Sequence, residues 1–192
     1  MTPSERLLPA KPGQVLIHLV LLFAGAIWIW FSRVSPQDVL ADSRIAPRPG
    51  FQAPDFNLST SQGTQISLST LHGQPVIINL WASWCPPCRE EMPALQKVYE
   101  TYHEQGLEIL GVNATNQDDV QAANEFSNRL GLTFPILLDG DGRVSRLYQL
   151  QSLPTTFFVG RDGSIQDVII GGPMAEALLR VRVERLLGKV QP

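Results

Sequence analysis

Apolar residues are spread unevenly along the chain. The first concentration is Val15–Phe31, a run interrupted by one ionisable side chain, His18. As a helix rising 1.5 Å per residue it would reach about 25 Å, near the lower limit for crossing a bilayer. Trp28, Ile29, Trp30 and Phe31 close it, and indoles at the end of an apolar run suit a membrane–water boundary. The competing reading is a cleaved signal peptide. Val39-Leu40-Ala41 has the small-residue spacing of a cleavage site, but it lies about ten residues past the run, too far for ordinary cleavage. The run is therefore read as a single transmembrane anchor. Arg6 and Lys11 precede it and Arg33, Arg44 and Arg48 follow it, so charge does not orient it. One span followed by one domain is the usual exported arrangement, and the domain is expected on the extracytoplasmic side of the cell membrane. Residues 1–14 then form a short tail. Residues 32–50, with Pro36, Pro47, Pro49 and Gly50, form a linker, and residues 51–192 form the domain.

Past the linker, strand and helix patterns alternate. Phe56-Asn57-Leu58 and Ile66-Ser67-Leu68 flank Ser61-Gln62-Gly63-Thr64 and predict a hairpin. Val76–Trp81 is nearly all apolar, as in a strand covered on both faces. A helix is predicted from Pro86, with Met92, Leu95, Tyr99 and Tyr102 as its buried stripe and Gly106 as its end. Ile109–Val112 reads as a buried strand. Asp118–Leu130 reads as a helix with Val120, Ala123 and Phe126 inward, Phe134–Leu138 as a strand, and Val144–Leu150 as a short helix. Thr155–Val159 and Ser164–Ile170 flank the turn signal Arg161-Asp162-Gly163, and Met174–Leu187 reads as a last helix. The alternation predicts an α/β sheet with helices on both faces.

Composition narrows the chemistry. The chain has 192 residues, a net charge of −3, 44% hydrophobic and 17% charged residues. Such a composition excludes disorder, and the mild acidity provides no electrostatic footprint for nucleic acid. Two cysteines exclude a disulfide-rich scaffold and a four-cysteine zinc site.

Those cysteines, Cys85 and Cys88, stand in Trp84-Cys85-Pro86-Pro87-Cys88, where a strand gives way to a helix. Pro86 suits the first helical position, where a missing N–H costs nothing. The Cys85 thiol then faces the unpaired N–H groups at the positive helix end, which stabilise a thiolate, the reactive form. Cys88 lies one turn further in, more buried and less acidic, close enough to form a disulfide. Cys85 would exchange with a substrate and Cys88 resolve the mixed disulfide. Arg89 adds a cation nearby, or merely a solvated side chain. Two other readings are weighed. A structural disulfide across two residues would constrain little of the unfolded chain. Half a metal site finds no partner spacing at His72 or His103.

The stretch Trp81-Ala82-Ser83-Trp84-Cys85-Pro86-Pro87-Cys88-Arg89-Glu90-Glu91-Met92-Pro93 resembles the active-site segment of TlpA/ResA-type, membrane-anchored, thioredoxin-like thiol–disulfide oxidoreductases of the AhpC/TSA-like superfamily. Ala53-Pro54-Asp55-Phe56 and Leu153-Pro154-Thr155-Thr156-Phe157 are also motifs of that group, so the resemblance covers most of the domain. It implies a thioredoxin fold with an N-terminal β-hairpin and a central α/β insertion, and a kink at Pro93. It also implies that Pro154 is cis beside the disulfide, where it blocks metal binding and leaves neighbouring backbone free to pair with an extended substrate. Trp84, Pro86 and Pro154 would contact that substrate. Thioredoxin has an acidic residue six positions before the first cysteine, where this chain has Asn79, which hydrogen-bonds but takes up no proton. The group keeps a glutamate at the position of Glu91, making Glu91 the candidate proton acceptor for Cys88; the competing reading is a solvated surface glutamate, as Glu90 is taken to be.

The expected activity is reduction of disulfides in exported proteins, such as apocytochromes c, with electrons from a membrane thiol reductant. The redox-active disulfide replaces any organic cofactor or metal, and the protein is expected to act as a monomer. Two alternatives stand beside it. Ala53-Pro54-Asp55-Phe56 also occurs in peroxiredoxin-like thiol peroxidases, but these carry a threonine where this chain has Ala82. A copper-binding chaperone would hold Cu(I) between the thiolates. Its nearest extra ligand, Met92, reads better as core.

Overall fold

The N-terminal apolar run forms helix α1 (Pro12–Phe31) in the computed structural model, which describes residues 12–31 and 44–189. The chain divides into two compact units, one ending at Ser43 and one beginning at Arg44. In α1, apolar side chains are exposed around the helix, among them Leu22, Phe23 and Trp28 at 70%, 73% and 75%. Among the described residues no helix is long and apolar enough to cross a membrane. The span expected over Val15–Phe31 includes side chains at 15, 17 and 31 that lie outside the described ones. It is a reading of the sequence and not a finding of the structure. The expectations for residues 1–11, the cleavage-site triplet at 39–41 and most of the linker also lie outside the described residues.

The second unit starts earlier than expected. Residues 44–50, assigned above to the linker, are already tied to the domain: Gln52 N–H donates to Arg44 O and Gly50 N–H to Ile165 O, both at 2.8 Å. The predicted hairpin forms from β1 (Asn57–Thr60) and β2 (Gln65–Ser67), paired antiparallel. β3 (Val76–Trp81) is buried at all six positions, as its nearly all-apolar run implies, with Asn79 the one polar residue. It pairs parallel with β4 (Glu108–Asn113), which pairs parallel with β5 (Ile136–Leu138). β6 (Thr155–Val159) lies antiparallel to β3 on its other side, and β7 (Ile165–Ile170) closes that edge. The sheet has seven strands in the order β2-β1-β5-β4-β3-β6-β7. The central insertion thus supplies β5, the strand through which the hairpin joins the sheet.

Side chains of β3 alternate between two cores. Ile77 and Trp81 join the core under α2 (Pro86–Tyr102), α3 (Val120–Leu130) and α5 (Glu176–Leu186). Val76, Ile78 and Leu80 join the core on the other face, with the hairpin and α4 (Arg143–Leu147). The stripe Met92, Leu95, Tyr99 and Tyr102 is buried as predicted, and Pro93 lies inside α2 with no N–H for the preceding turn. At Gly111, a Cβ would come within 2.8 Å of Ile136 and 3.0 Å of Phe134. Only a glycine lets these side chains close over β4 beside Trp81.

Several element ends differ from the pattern by a few residues, and three of the larger differences have a local reason. α3 begins at Val120 because Asp119 caps it, its carboxylate accepting from Ala122 N–H at 2.9 Å. Val120 is 42% exposed, so only Ala123 and Phe126 of the predicted triplet face inward. β5 starts at Ile136 because Pro135 brings no N–H to a ladder, and Phe134 packs edge-on to Tyr99 instead, centroids 5.9 Å apart. α4 ends at Leu147 rather than Leu150. α5 starts at Glu176, since Ala175 has extended backbone, ψ 144°, and caps it.

Candidate active site

β3 ends at Trp81, and a bend at Ala82–Trp84 delivers Cys85 to the first turn of α2. Cys85 has extended backbone, φ −83° and ψ 112°, and Pro86 and Pro87 fill the first two helical positions. Its Sγ accepts a hydrogen bond from Cys88 N–H at 3.3 Å. That is the place of an N-cap side-chain oxygen, so the sulfur sits where the helix end favours negative charge. Cys85 and Cys88 are joined in a disulfide, with Cα atoms 5.3 Å apart. Cys88 is fully buried and Cys85 is 3% exposed. The pair can carry two-step thiol–disulfide exchange: attack at one sulfur, then resolution by the other.

Glu91, one turn beyond Cys88, is 1% exposed. The reading of it as a solvated surface residue is overturned. Its carboxylate accepts from Asn79 Nδ2 at 2.7 Å and from Met174 N–H at 3.1 Å. Asn79 is the mid-strand residue of β3 on the α2 face, and its Nδ2 also reaches Thr156 Oγ1 of β6 at 2.9 Å. Burial pushes the Glu91 carboxyl above its ordinary value of 4.5, and the two hydrogen bonds only partly oppose this. Asn79 Oδ1 is buried without a donor. An amide beside such a carboxyl can donate to its ionised form and, turned over, accept from its protonated form. Glu90, by contrast, is exposed, as expected.

Trp84 is 56% exposed beside the disulfide, and its indole N–H donates to Gln117 O at 2.9 Å. A cleft of about 340 Å³ opens here. Trp84, Cys85, Pro86 and Pro87 line it from the start of α2, and Gln117 with residues 150–153 complete it. None of its lining residues is charged. Trp84 and Pro86, expected to contact substrate, both line this cleft. Arg89 is tied down, its Nη1 donating to Ser83 O at 3.1 Å while its guanidinium lies 4.8 Å from the Phe126 ring centroid.

The Leu153–Pro154 peptide is cis, as the resemblance implies. The Pro154 ring itself is buried and does not line the cleft; Leu153 does. Behind it, a Cβ on Gly172 would fall 2.7 Å from Pro154 Cγ and 2.9 Å from Glu91 Oε2. Gly172→Ala should therefore destabilise the oxidised protein by about 1–3 kcal/mol through overpacking. Denaturant unfolding checks this, and an unchanged midpoint would mean that the loop gives way without cost. Met92 is fully buried in the core, and Ala82, also buried, brings no hydroxyl to the cysteines.

Sequence reasoning missed three partners: Thr156, Gly172 and Asp118. Asp118 accepts from Ser83 and Asn113 next to the disulfide bend. Asp118 comes from a distant loop and no local pattern marks it; Thr156 lies in the motif Leu153–Phe157, which does not show that it meets Asn79. Glu91 was legible through the resemblance, since the TlpA/ResA group keeps a glutamate at its position.

Residues 49–168 match the AhpC/TSA family. The thiol–disulfide oxidoreductase ResA of Geobacillus kaustophilus is 36% identical over 179 residues, covering 93% of this chain and 95% of that protein. StoA from Bacillus subtilis superposes with a TM-score of 0.60 at 34% identity, over 68% of this chain and 97% of its own. A secreted Mycobacterium tuberculosis disulfide oxidoreductase, described as homologous to E. coli DsbE, superposes with a TM-score of 0.63 at 26% identity, over 68% of this chain and 95% of its own. With a disulfide capping the first turn of a helix on a thioredoxin-like sheet, the chain belongs to the AhpC/TSA family and is a ResA-like thiol–disulfide oxidoreductase.

Proposed function

We propose that the protein is a membrane-anchored, extracytoplasmic reductant of disulfides in exported proteins, apocytochromes c among them, recharged by a membrane thiol reductant and acting as a monomer. In each cycle the Cys85 thiolate attacks a substrate disulfide, and one substrate sulfur leaves and takes a proton. Cys88, deprotonated by Glu91, then displaces the second substrate sulfur. The substrate disulfide becomes two thiols while the enzyme's dithiol becomes its disulfide, and the membrane reductant reverses the latter change.

The observation that carries the direction is the sparse stabilisation of the Cys85 sulfur. Among the described residues its hydrogen bond comes from one backbone N–H at 3.3 Å, while Arg89 is directed at Ser83 O and Phe126. One N–H beside the helix end favours the thiolate less than several donors would, which leaves the reduced form less stabilised and the couple more reducing. The potential should fall near the thioredoxin end of the range, about −270 mV, rather than the DsbA end near −120 mV. Equilibrating the full chain with a thiol–disulfide buffer and counting alkylated thiols measures it. A value near −120 mV would reverse the direction.

Two features support the placement. The exposed apolar side chains around α1 need a non-aqueous cover, and a relative of similar fold is described as secreted. A membrane-impermeant thiol reagent should label reduced Cys85 in intact cells; protection until lysis would place the domain inside.

The uncharged cleft beside Cys85 suits an uncharged stretch flanking the substrate cysteine. Trp84→Ala should raise KM for a protein disulfide about tenfold, the equivalent of one buried apolar contact, with kcat nearly constant. Steady-state kinetics separate the two parameters, and an unmoved KM would remove the cleft from substrate binding.

A further inference from the structure

The bend that carries Trp84 is fastened from outside by a single carboxylate. Asp118 Oδ2 accepts from Ser83 N–H at 2.6 Å and from Asn113 Nδ2 at 2.8 Å. Its Oδ1 accepts from Ser83 Oγ at 2.7 Å and from Asp119 N–H at 2.9 Å. Four donors fill the acceptor sites of the ionised group. Ser83 is thereby held twice, through backbone and hydroxyl, and its carbonyl is held a third time by Arg89. The next residue, Trp84, donates its indole N–H to the carbonyl of Gln117, the residue before Asp118. Two loops from different parts of the chain, 82–84 and 115–118, are thus clamped together. Both contribute to the wall of the cleft, through Trp84 and Gln117.

This clamp is not needed for the chemistry at Cys85. The N–H that faces Cys85 Sγ comes from Cys88, inside α2, and α2 is anchored by its own buried stripe. Nor does Asp118 start the neighbouring helix, since Asp119 caps α3. Four charge-assisted or polar contacts are concentrated on a surface bend whose exposed product is one indole.

We infer that Asp118 is a positioning residue for substrate recognition: its carboxylate holds Ser83 so that the Trp84 indole stands fixed as the wall of the substrate cleft. The inference rests on the reading of that cleft as the substrate-binding surface. A fixed indole meets the incoming chain without losing rotational freedom on binding, and a loose one must be ordered each time.

Asp118→Asn keeps the shape but gives one acceptor oxygen in place of two. Its KM for a protein disulfide should rise about tenfold, equivalent to 1.4 kcal/mol, with kcat changing less than about twofold. The Cys85 thiol titration, read by alkylation rate against pH in the full chain, should stay with the parent. The fluorescence contribution of Trp84, isolated by subtracting a Trp84→Phe variant, should become more mobile in anisotropy. Ser83→Ala, which removes one donor and leaves the carboxylate ionised, should give a smaller rise of about threefold in KM, and it carries the test if the Asn variant does not fold. In combination with Trp84→Ala, Asp118→Asn should add little, because the wall it holds is gone. If Trp84→Ala raises KM and neither Asp118→Asn nor Ser83→Ala does, the positioning role is wrong. The same holds if the loss appears in kcat together with a shifted Cys85 titration. If Trp84→Ala leaves KM unmoved, the reading of the cleft fails first and takes the inference with it.

Discussion

Cys88→Ser should stop turnover and leave the protein joined through Cys85 to its substrate. Cys88 is fully buried one turn inside α2, and its sulfur lies within bonding reach of Cys85. In the mixed disulfide it is held against the bond it must break. Such placement is worth effective concentrations of about 10⁵ M or more, and a serine hydroxyl cannot replace it. Release then depends on external thiol at millimolar levels, so turnover should fall at least about 10³-fold. Non-reducing electrophoresis of the full chain, after incubation with a disulfide-bonded protein, should show a higher-mass species that dithiothreitol removes. Fast release from Cys88→Ser would mean that a substrate thiol resolves the intermediate. The same trap, recovered from membranes, identifies the partner proteins.

Glu91→Gln should separate two effects of one buried carboxyl. Proton removal from the resolving thiol is general-base work, worth about 10²–10⁴-fold, so resolution should slow by at least about 10²-fold. The pH profile of turnover should also lose its acid limb, because the amide does not titrate. Stability changes in the opposite sense along the pH scale. Burial raises the folded carboxyl above 4.5, so over that window the folded protein holds a proton that the unfolded chain has released. The contribution is fully present below 4.5 and is lost as pH rises through the folded value. The parent should therefore weaken over that interval, and the Gln variant should show a flatter profile from this site. Thermal unfolding at closely spaced pH values reads the difference. Identical pH profiles of both turnover and stability would move proton handling elsewhere.

The two variants probe the parts of the site that were easiest to see in advance. Cys85 and Cys88 are local: the strand-to-helix switch, the proline at the first helical position and the spacing lie within one short segment. Secondary structure was legible for the same reason. β3 is apolar but for Asn79 and α2 carries one apolar stripe, and burial on two faces or one leaves those periods in the chain. The ends were less legible. α3 and α5 begin later than the pattern suggests because Asp119 caps the first and Ala175, with extended backbone, precedes the second. The place of residues 44–50 depended on a bridge from Gln52 to Ser164, far along the chain.

From the sequence alone came the chemistry of the cysteine pair, the α/β class and the cis bond before Pro154. Each depends on residues adjacent in the chain or on a motif carried whole by a family. The tertiary structure decided which polar groups surround that chemistry. Asn79 and Met174 meet Glu91, and Thr156 meets Asn79, because α2 packs over β3, which pairs with β6 in a sheet whose order is not the chain order. Asp118 meets Ser83 because the loops after the parallel strands β3 and β4 leave the same end of the sheet. A carboxylate's role follows from what has been taken away from it, water, and what has been put beside it, donors. Both are set by distant segments packing together, and neither is written in its neighbours in the chain.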